Sequence, residues 1–500
     1  MEFLEYRRFD ATGLAQLVQS GQVSANELLD IAIMRTAQVN PQINALHTPL
    51  HAFSRQQVKK LKGEMPFVGV PFLLKDLQHA LKGYPLASGS AACKHYIPRF
   101  NSTVVERYLA SGLLPIFKTT TPEFGLLGVT ESQAYGATRN PWDLSRTPGG
   151  SSGGSAAAIA AGIVPMASAN DGGGSIRIPA SHCGLFGLKP SRGRVPTGPY
   201  CSEAWMGASA DHVLTRSVRD SAIMLDALQG RDKGSSIDII RPELPYAECI
   251  KSAPKKLKIA YSCQSPLETS VDQSCIDAVR YTVKVLESLG HEVEEAKPDY
   301  DGLALAQDYL MLYFANVAAV VNGVRKEYGN SGVKKLEAIT RSLAMIGETL
   351  SAGEFYQSRQ NWNTYSRSMG AFHQHYDLFL TPSVAMPPPN IGAHVPKPLE
   401  LFSLNLSNRM GLGKLLLKSG LIDKMARDNL SATPFSQLAN LTGQPAMSVP
   451  MYWATSDKNS KSELPIGVQF IAPFAAEDIL FQLAAQLEQT CPWFDRIAEL

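Results

Sequence analysis

The chain has 500 residues, of which 44% are apolar and 18% charged, and its net charge is +2. That composition excludes intrinsic disorder, and the length suits one large α/β unit, so a single domain over residues 1–500 is expected. So small a charge, with no long basic run, leaves no electrostatic footprint for a polyanion, and no nucleic-acid partner is expected.

Seven cysteines, at positions 93, 183, 201, 249, 263, 275 and 491, are scattered and odd in number, without a CxxC pair. This argues against a zinc site and against a disulfide framework, so no metal or cofactor is expected and a reduced, cytoplasmic setting fits. The start, MEFLEYRRFD, is too charged for a secretory signal. Two apolar runs fail as membrane spans: residues 156–169 are too few and contain Gly162 and Pro165, and residues 303–321 carry Gln307 and Asp308.

In chain order, Leu14, Leu17 and Val18 form a helical stripe, and a second helix opens with Ser24 and Glu27 in capping-box spacing. FVGVPFLL, residues 67–74, reads as a buried strand in which Pro71 demands an edge or a bulge. Lys75 follows that strand. It is either a surface residue where the chain exits or a functional amine at the carboxyl end of a strand, where α/β sheets hold their sites. Residues 102–114 read as a helix running into the strand of LPIFKTTTPEF, and AYGATRNPWDLSRTPGG reads as a turn-rich loop whose Arg139, Asn140 and Arg146 either orient the chain or meet substrate, with loop-orienting ion pairs the favoured reading.

Two Gly/Ser clusters come next, GGSSGGS at 149–155 and DGGGS at 171–175, joined by a helix-prone segment at 155–161. Glycine-rich runs add nothing to a core and are kept where backbone turns tightly or presents N–H groups to a ligand. Neither cluster ends in GK[ST] nor follows GxGxxG spacing, which disfavours a nucleotide loop. Further on, strand 257–261, helix 275–289 and strand 291–295 form a βαβ-like unit. Residues 303–430 are helical in pattern, and 399–425 form either a lid over an apolar pocket or a packed helix pair. NLTGQPAMSVP and LPIGVQFIAP supply two strands before a final helix at 476–487. The expected fold class is α/β, a large mixed β-sheet flanked by helices on both faces.

A serine hydroxyl becomes a nucleophile only when a neighbouring base takes its proton. A lysine serves as that base only when neutral, which costs about 4.6 kcal/mol at pH 7 for an ordinary amine. Burial depresses a lysine pKa by roughly 3–5 units, enough to supply this. The backbone N–H groups of Gly172, Gly173, Gly174 and Ser175 are candidates to hold a developing oxyanion, and such donors contribute about 3–4 kcal/mol each.

GGSSGGSAAAIAAG followed by NDGGGSIRIPASHCGLFGLKP resembles the signature of the amidase signature family. VSANELL, GVPFLLKD, TTPEFG, LTRSVRD, NLTGQPAMSVP and LPIGVQFI also resemble family blocks, and only residues from about 300 to 430 lack clear matches. The resemblance implies a Ser–cis-Ser–Lys triad of Ser175 as nucleophile, Ser151 as bridging serine and Lys75 as base, acting through an acyl-enzyme on a small-molecule amide. Asp171 and Arg177 would brace the loop, with His182 and Cys183 as packed neighbours. Asn170 and Gly172 stand where many members have threonine. This texture is more similar to the 6-aminohexanoate cyclic dimer hydrolase-like branch than to the glutaminase subunits of tRNA-dependent amidotransferases. Two other readings stay open: such a glutaminase subunit, which needs partners and an acidic/basic pair for glutamine, and a non-catalytic binding protein on the same scaffold. A homodimer is compatible with all three.

Overall fold

Side-chain alternation along the strands sorts the core into two sides of one sheet. Ile259, Leu378, Leu380, Met447 and Val449 belong to one buried cluster, while their chain neighbours Ala260, Phe379 and Ala446 belong to another on the opposite face. The computed structural model describes residues 1–393, 421–455 and 463–500. Its early strands are β1 (Leu46–Pro49), β2 (Pro71–Lys75), β3 (Leu114–Thr119), β4 (Glu131–Ser132) and β5 (Gly136–Ala137). The central ones are β6 (Met166–Asp171), β7 (Phe186–Lys189), β8 (Ala210–Thr215), β9 (Lys258–Tyr261) and β10 (Glu292–Glu295). The last are β11 (Leu378–Pro382), β12 (Ala446–Thr455) and β13 (Glu463–Ile471).

Eight of these form a mixed sheet in the order β10-β9-β11-β13-β12-β7-β8-β6. The β10, β9 and β11 edge is parallel and the remaining pairs are antiparallel. Helices Val218–Leu228, Gln273–Ser288 and Glu477–Thr490 cover one face. Helices Gly153–Ala160, Gly302–Lys334, Ala338–Gly347 and Ala352–Phe372 cover the other. The architecture is the α/β one expected, with helices on both faces of a large mixed sheet.

Several local expectations hold for the physical reasons that prompted them. Helix Ala25–Ile43 starts at Ser24 with both hydrogen bonds of a capping box to Glu27. The βαβ unit forms, with β9 and β10 parallel around helix Gln273–Ser288. Pro71 opens β2, an edge strand of a small sheet ordered β1-β3-β2, and a register shift between Phe72 and Leu73 marks the bulge.

Other expectations are corrected. Phe67 to Val70 are a turn, with Gly69 at φ +77°, so the strand begins only at Pro71 and Lys75 is its last residue. Residues 303–430 are not helical throughout, because β11 (Leu378–Pro382) inserts into the middle of the large sheet. A short continuous apolar run such as LFLTP carries no periodicity to tell strand from helix. The expectation placed on residues 399–425 falls mostly outside the described residues.

Helix Gly302–Lys334 contains a window with mean hydropathy 1.4, long and apolar enough to cross a membrane, of which 61% is buried inside the protein. It is held from within: the Asp308 carboxylate accepts hydrogen bonds from Tyr365 Oη at 2.6 Å and Asn361 Nδ2 at 3.2 Å.

Candidate active site

Lys75 leaves strand β2 with its side chain wholly buried. Its Nζ lies 2.8 Å from Ser151 Oγ, 2.9 Å from Ser152 Oγ and 2.6 Å from Asn170 Oδ1. Burial pulls the Lys75 pKa down to about 7, against the opposing pull of the Asp211 and Asp171 carboxylates. The amine is therefore neutral in a large part of the molecules near neutral pH.

Counting hydrogens tells where a neutral Lys75 directs its lone pair. An ammonium has three donors, matched by three oxygens; a neutral amine has two donors and one acceptor. Asn170 points its amide Nδ2 at the Leu77 carbonyl, 3.1 Å away, which leaves Oδ1 as an acceptor only. Ser152 Oγ directs its hydrogen to the Asn170 carbonyl at 3.4 Å. Ser151 is thus the hydroxyl placed to donate to the amine when it is neutral.

Ser151 follows a cis peptide bond from Gly150. The turn has no room for side chains: a Cβ on Gly150 would come 2.7 Å from the Val129 carbonyl, and Gly149 sits at φ +82°. The second cluster begins where β6 ends, at Asp171. Its carboxylate is buried and paired with Arg177 through contacts of 2.9 Å to both Nε and Nη2. Arg177 and Asn440 Nδ2 hold that carboxyl far below the ordinary carboxylate range. Arg177 also reaches Gln469 Oε1 at 2.6 Å and the Ser436 carbonyl at 2.9 Å, tying the loop to the chain's C-terminal part.

Asp171 Oδ1 also accepts the N–H of Gly174 at 2.7 Å, so that donor is occupied by the loop itself. The N–H groups of Gly172, Gly173 and Ser175 have no hydrogen-bond acceptor among the described residues. Ser175 is half-buried and shares with Ser151, Asn170, Gly172 and Gly173 the wall of a cavity of about 650 Å³. Helix Gly302–Lys334 closes that cavity with Tyr309, Asn316, Val317 and Val320, joined by Phe124 and Trp205. Its described lining includes the acids Glu203, Asp211 and Glu327 and no lysine, arginine or histidine.

The neighbouring residues fall as expected. Arg146 pairs with Asp143 at 3.1 Å, Asn140 Nδ2 donates to the His182 carbonyl at 2.8 Å, and Arg139 donates to the Leu144 carbonyl at 2.8 Å. His182 and Cys183 are buried, and burial pushes the histidine pKa down to about 4. The motifs did not give the roles of Ser152 and Asn170 around the amine, nor the cavity wall. Asn170 was visible as a departure from threonine, but no sequence spacing brings Tyr309 or Trp205 to the glycine loop.

The Amidase family model matches residues 27–481. The chain is 35% identical over 511 residues to the 6-aminohexanoate-cyclic-dimer hydrolase of Pseudomonas sp. (strain NK87), covering 98% of this chain and 96% of that one. It is 32% identical over 491 residues to the lipoamidase of Enterococcus faecalis, covering 97% of this chain and 63% of that longer one. Among solved structures, 6-aminohexanoate cyclic dimer hydrolase complexed with substrate superposes with a TM-score of 0.86 at 32% identity, covering 98% of each chain.

Proposed function

The chain belongs to the amidase family and is an amidohydrolase acting on carbon–nitrogen bonds other than peptide bonds, and from that premise we propose that Ser175, Ser151 and Lys75 form its Ser–cis-Ser–Lys triad. The observation that carries this is the 2.8 Å contact between Lys75 Nζ and Ser151 Oγ at the edge of the cavity that Ser175 also lines. Ser175 Oγ adds to the amide carbonyl carbon while its proton passes to Ser151, whose own proton moves to Lys75. The N–H groups of Gly172, Gly173 and Ser175 receive the oxyanion, with Gly174 acting through its bond to Asp171. The proton returns through Ser151 to the leaving nitrogen, the C–N bond breaks, and water then hydrolyses the acyl-enzyme by the same relay.

The substrate in this reading is a small linear or cyclic carboxylic amide. The uncharged aromatic and aliphatic residues of the cavity wall support it, as does similarity to hydrolases of a cyclic amide. A glutaminase would need a cation for the glutamine carboxylate, and the described lining offers acids only. The same reading takes residues 1–500 as one amidase domain, with the helical segment from about 300 to 430 shaping the pocket. It takes helix Gly302–Lys334 as a core helix and the protein as cytoplasmic, in keeping with seven unpaired cysteines.

Intact-mass labelling with a fluorophosphonate tests the triad. The expected result is one adduct on the wild type, none on Ser175→Ala and slowed labelling of Lys75→Ala, with protection by the best amide, the 6-aminohexanoate cyclic dimer among those tried. An unlabelled wild type, or an adduct that survives loss of Ser175, overturns it.

A further inference from the structure

Linked to Lys75 through Ser168 lies a histidine that the hydrolytic cycle does not use. His79 follows β2 by four residues and is fully buried. Its Nδ1 lies 2.8 Å from Ser168 Oγ on β6, and its Nε2 lies 3.1 Å from Asp211 Oδ1 on β8. Ser168 Oγ in turn accepts the backbone N–H of Lys75 at 2.8 Å.

The Asp211 carboxylate can only accept, so the pairing at Nε2 places the ring hydrogen there. In the neutral ring Nδ1 is then the acceptor, and Ser168 Oγ, which accepts from Lys75 through one lone pair, gives it its hydrogen. Burial depresses the His79 pKa, with Asp211 partly opposing, which keeps the ring in this neutral tautomer. The residue is held from outside as well: the His79 backbone carbonyl accepts Lys118 Nζ at 2.7 Å, and the Tyr108 ring meets the imidazole edge-on at 6.0 Å.

We infer that His79 and Asp211 are positioning residues for Lys75, a Lys75–Ser168–His79–Asp211 chain that holds the end of β2 against β6 and β8 and sets a carboxylate beside the amine. This rests on Lys75 being the base of the proposed triad. Asp211 belongs both to this chain and to the cavity wall, so it links the base to the substrate space. The charged groups facing Lys75 are Asp171 at the end of β6 and Asp211 on β8. Lys118 on β3 faces His79 but is itself answered by Asp76. Asp171 is already neutralised by Arg177, which leaves Asp211 as the carboxylate whose removal the amine feels most.

The test is the pH profile of kcat/KM for amide hydrolysis in the full-length protein and its variants. Asp211→Asn keeps an acceptor for His79 while removing the charge, and its acid limb should move down by about one pH unit, because the ammonium form loses its stabilising partner. His79→Ala should lower kcat about tenfold with KM within about twofold, and His79→Gln should recover part of that loss. A merely structural role would lower thermal stability and leave the pH profile and the kcat/KM split where they are, and that result overturns the inference. Lys75→Ala separates the two levels. If it is inactive while Asp211→Asn and His79→Ala match the wild type, only the positioning chain falls; if Lys75→Ala retains wild-type activity and profile, the triad reading falls and takes the chain with it.

Discussion

Asn170 Oδ1 accepts a hydrogen bond from Lys75 Nζ at 2.6 Å, the shortest of the three contacts that surround the amine. Since Asn170 cannot donate through that oxygen, it holds the amine in place and leaves the proton traffic to Ser151. Asn170→Ala is expected to lower kcat at least tenfold with little change in KM, because it disturbs the base and leaves the cavity wall nearly intact. Steady-state kinetics on the best amide, with circular dichroism to check the fold, measures this.

The Lys75 pKa of about 7 predicts the pH dependence of activity. The neutral, proton-accepting amine grows as pH rises through 7, so kcat/KM should climb across that point and level off above it. The same shift has a stability consequence of fixed sign. The unfolded chain binds a proton at Lys75 up to its ordinary value of 10.5, while the folded chain gives it up near 7. Unfolding therefore takes up a proton between those values, and the lysine's destabilising contribution fades as pH rises from 7 to 10.5. Urea melts of Lys75→Met against wild type should show the variant's relative gain largest at and below pH 7 and shrinking toward high pH.

Arg177 and Asp171 form a pair with both side chains fully buried. Arg177→Met leaves the carboxylate without its counter-charge and strips bonds from Gln469 and Ser436, so a loss of about 3–5 kcal/mol is expected. Arg177→Lys should recover little, because one ammonium does not reproduce the two-point contact. Chemical denaturation of both variants checks this.

Gly173 packs so closely on helix Gly302–Lys334 that an added Cβ would collide with the Tyr309 hydroxyl. Gly173→Ala should therefore abolish hydrolysis while the fold persists, and the double variant with Tyr309→Phe should regain part of the rate. If Gly173→Ala is fully active, the loop does not carry the oxyanion donors assigned to it.

Val317 lies in the cavity wall on the same helix. Val317→Trp fills part of the space and is expected to raise KM for bulky amides by tenfold or more while small amides and fluorophosphonate labelling of Ser175 are spared. Uniform loss across substrate sizes would remove this helix from substrate contact.

What the sequence by itself determined lies where chemistry is local. Glycines at 149–150 and 173–174 are required by backbone that leaves no room for a Cβ, and the Ser24 and Glu27 pair caps a helix three residues apart. The candidate triad came from the resemblance of the short blocks around Lys75, Ser151 and Ser175 to the amidase signature, since the residues alone left Lys75 open between a surface position and a functional amine. The tertiary structure alone decided what surrounds that triad. It brought Asn170 to the Lys75 amine, linked His79 and Asp211 to Lys75 through Ser168, and set Tyr309 against the glycine loop with Val317 in the same cavity wall, across sequence separations that leave no periodic trace. It also turned LFLTP into a central strand, since burial on both faces erases the alternation that would have marked it. Above all it buried Lys75 completely, and desolvation, a property of the whole fold rather than of any motif, brings an ordinary lysine down to where it can act as a base.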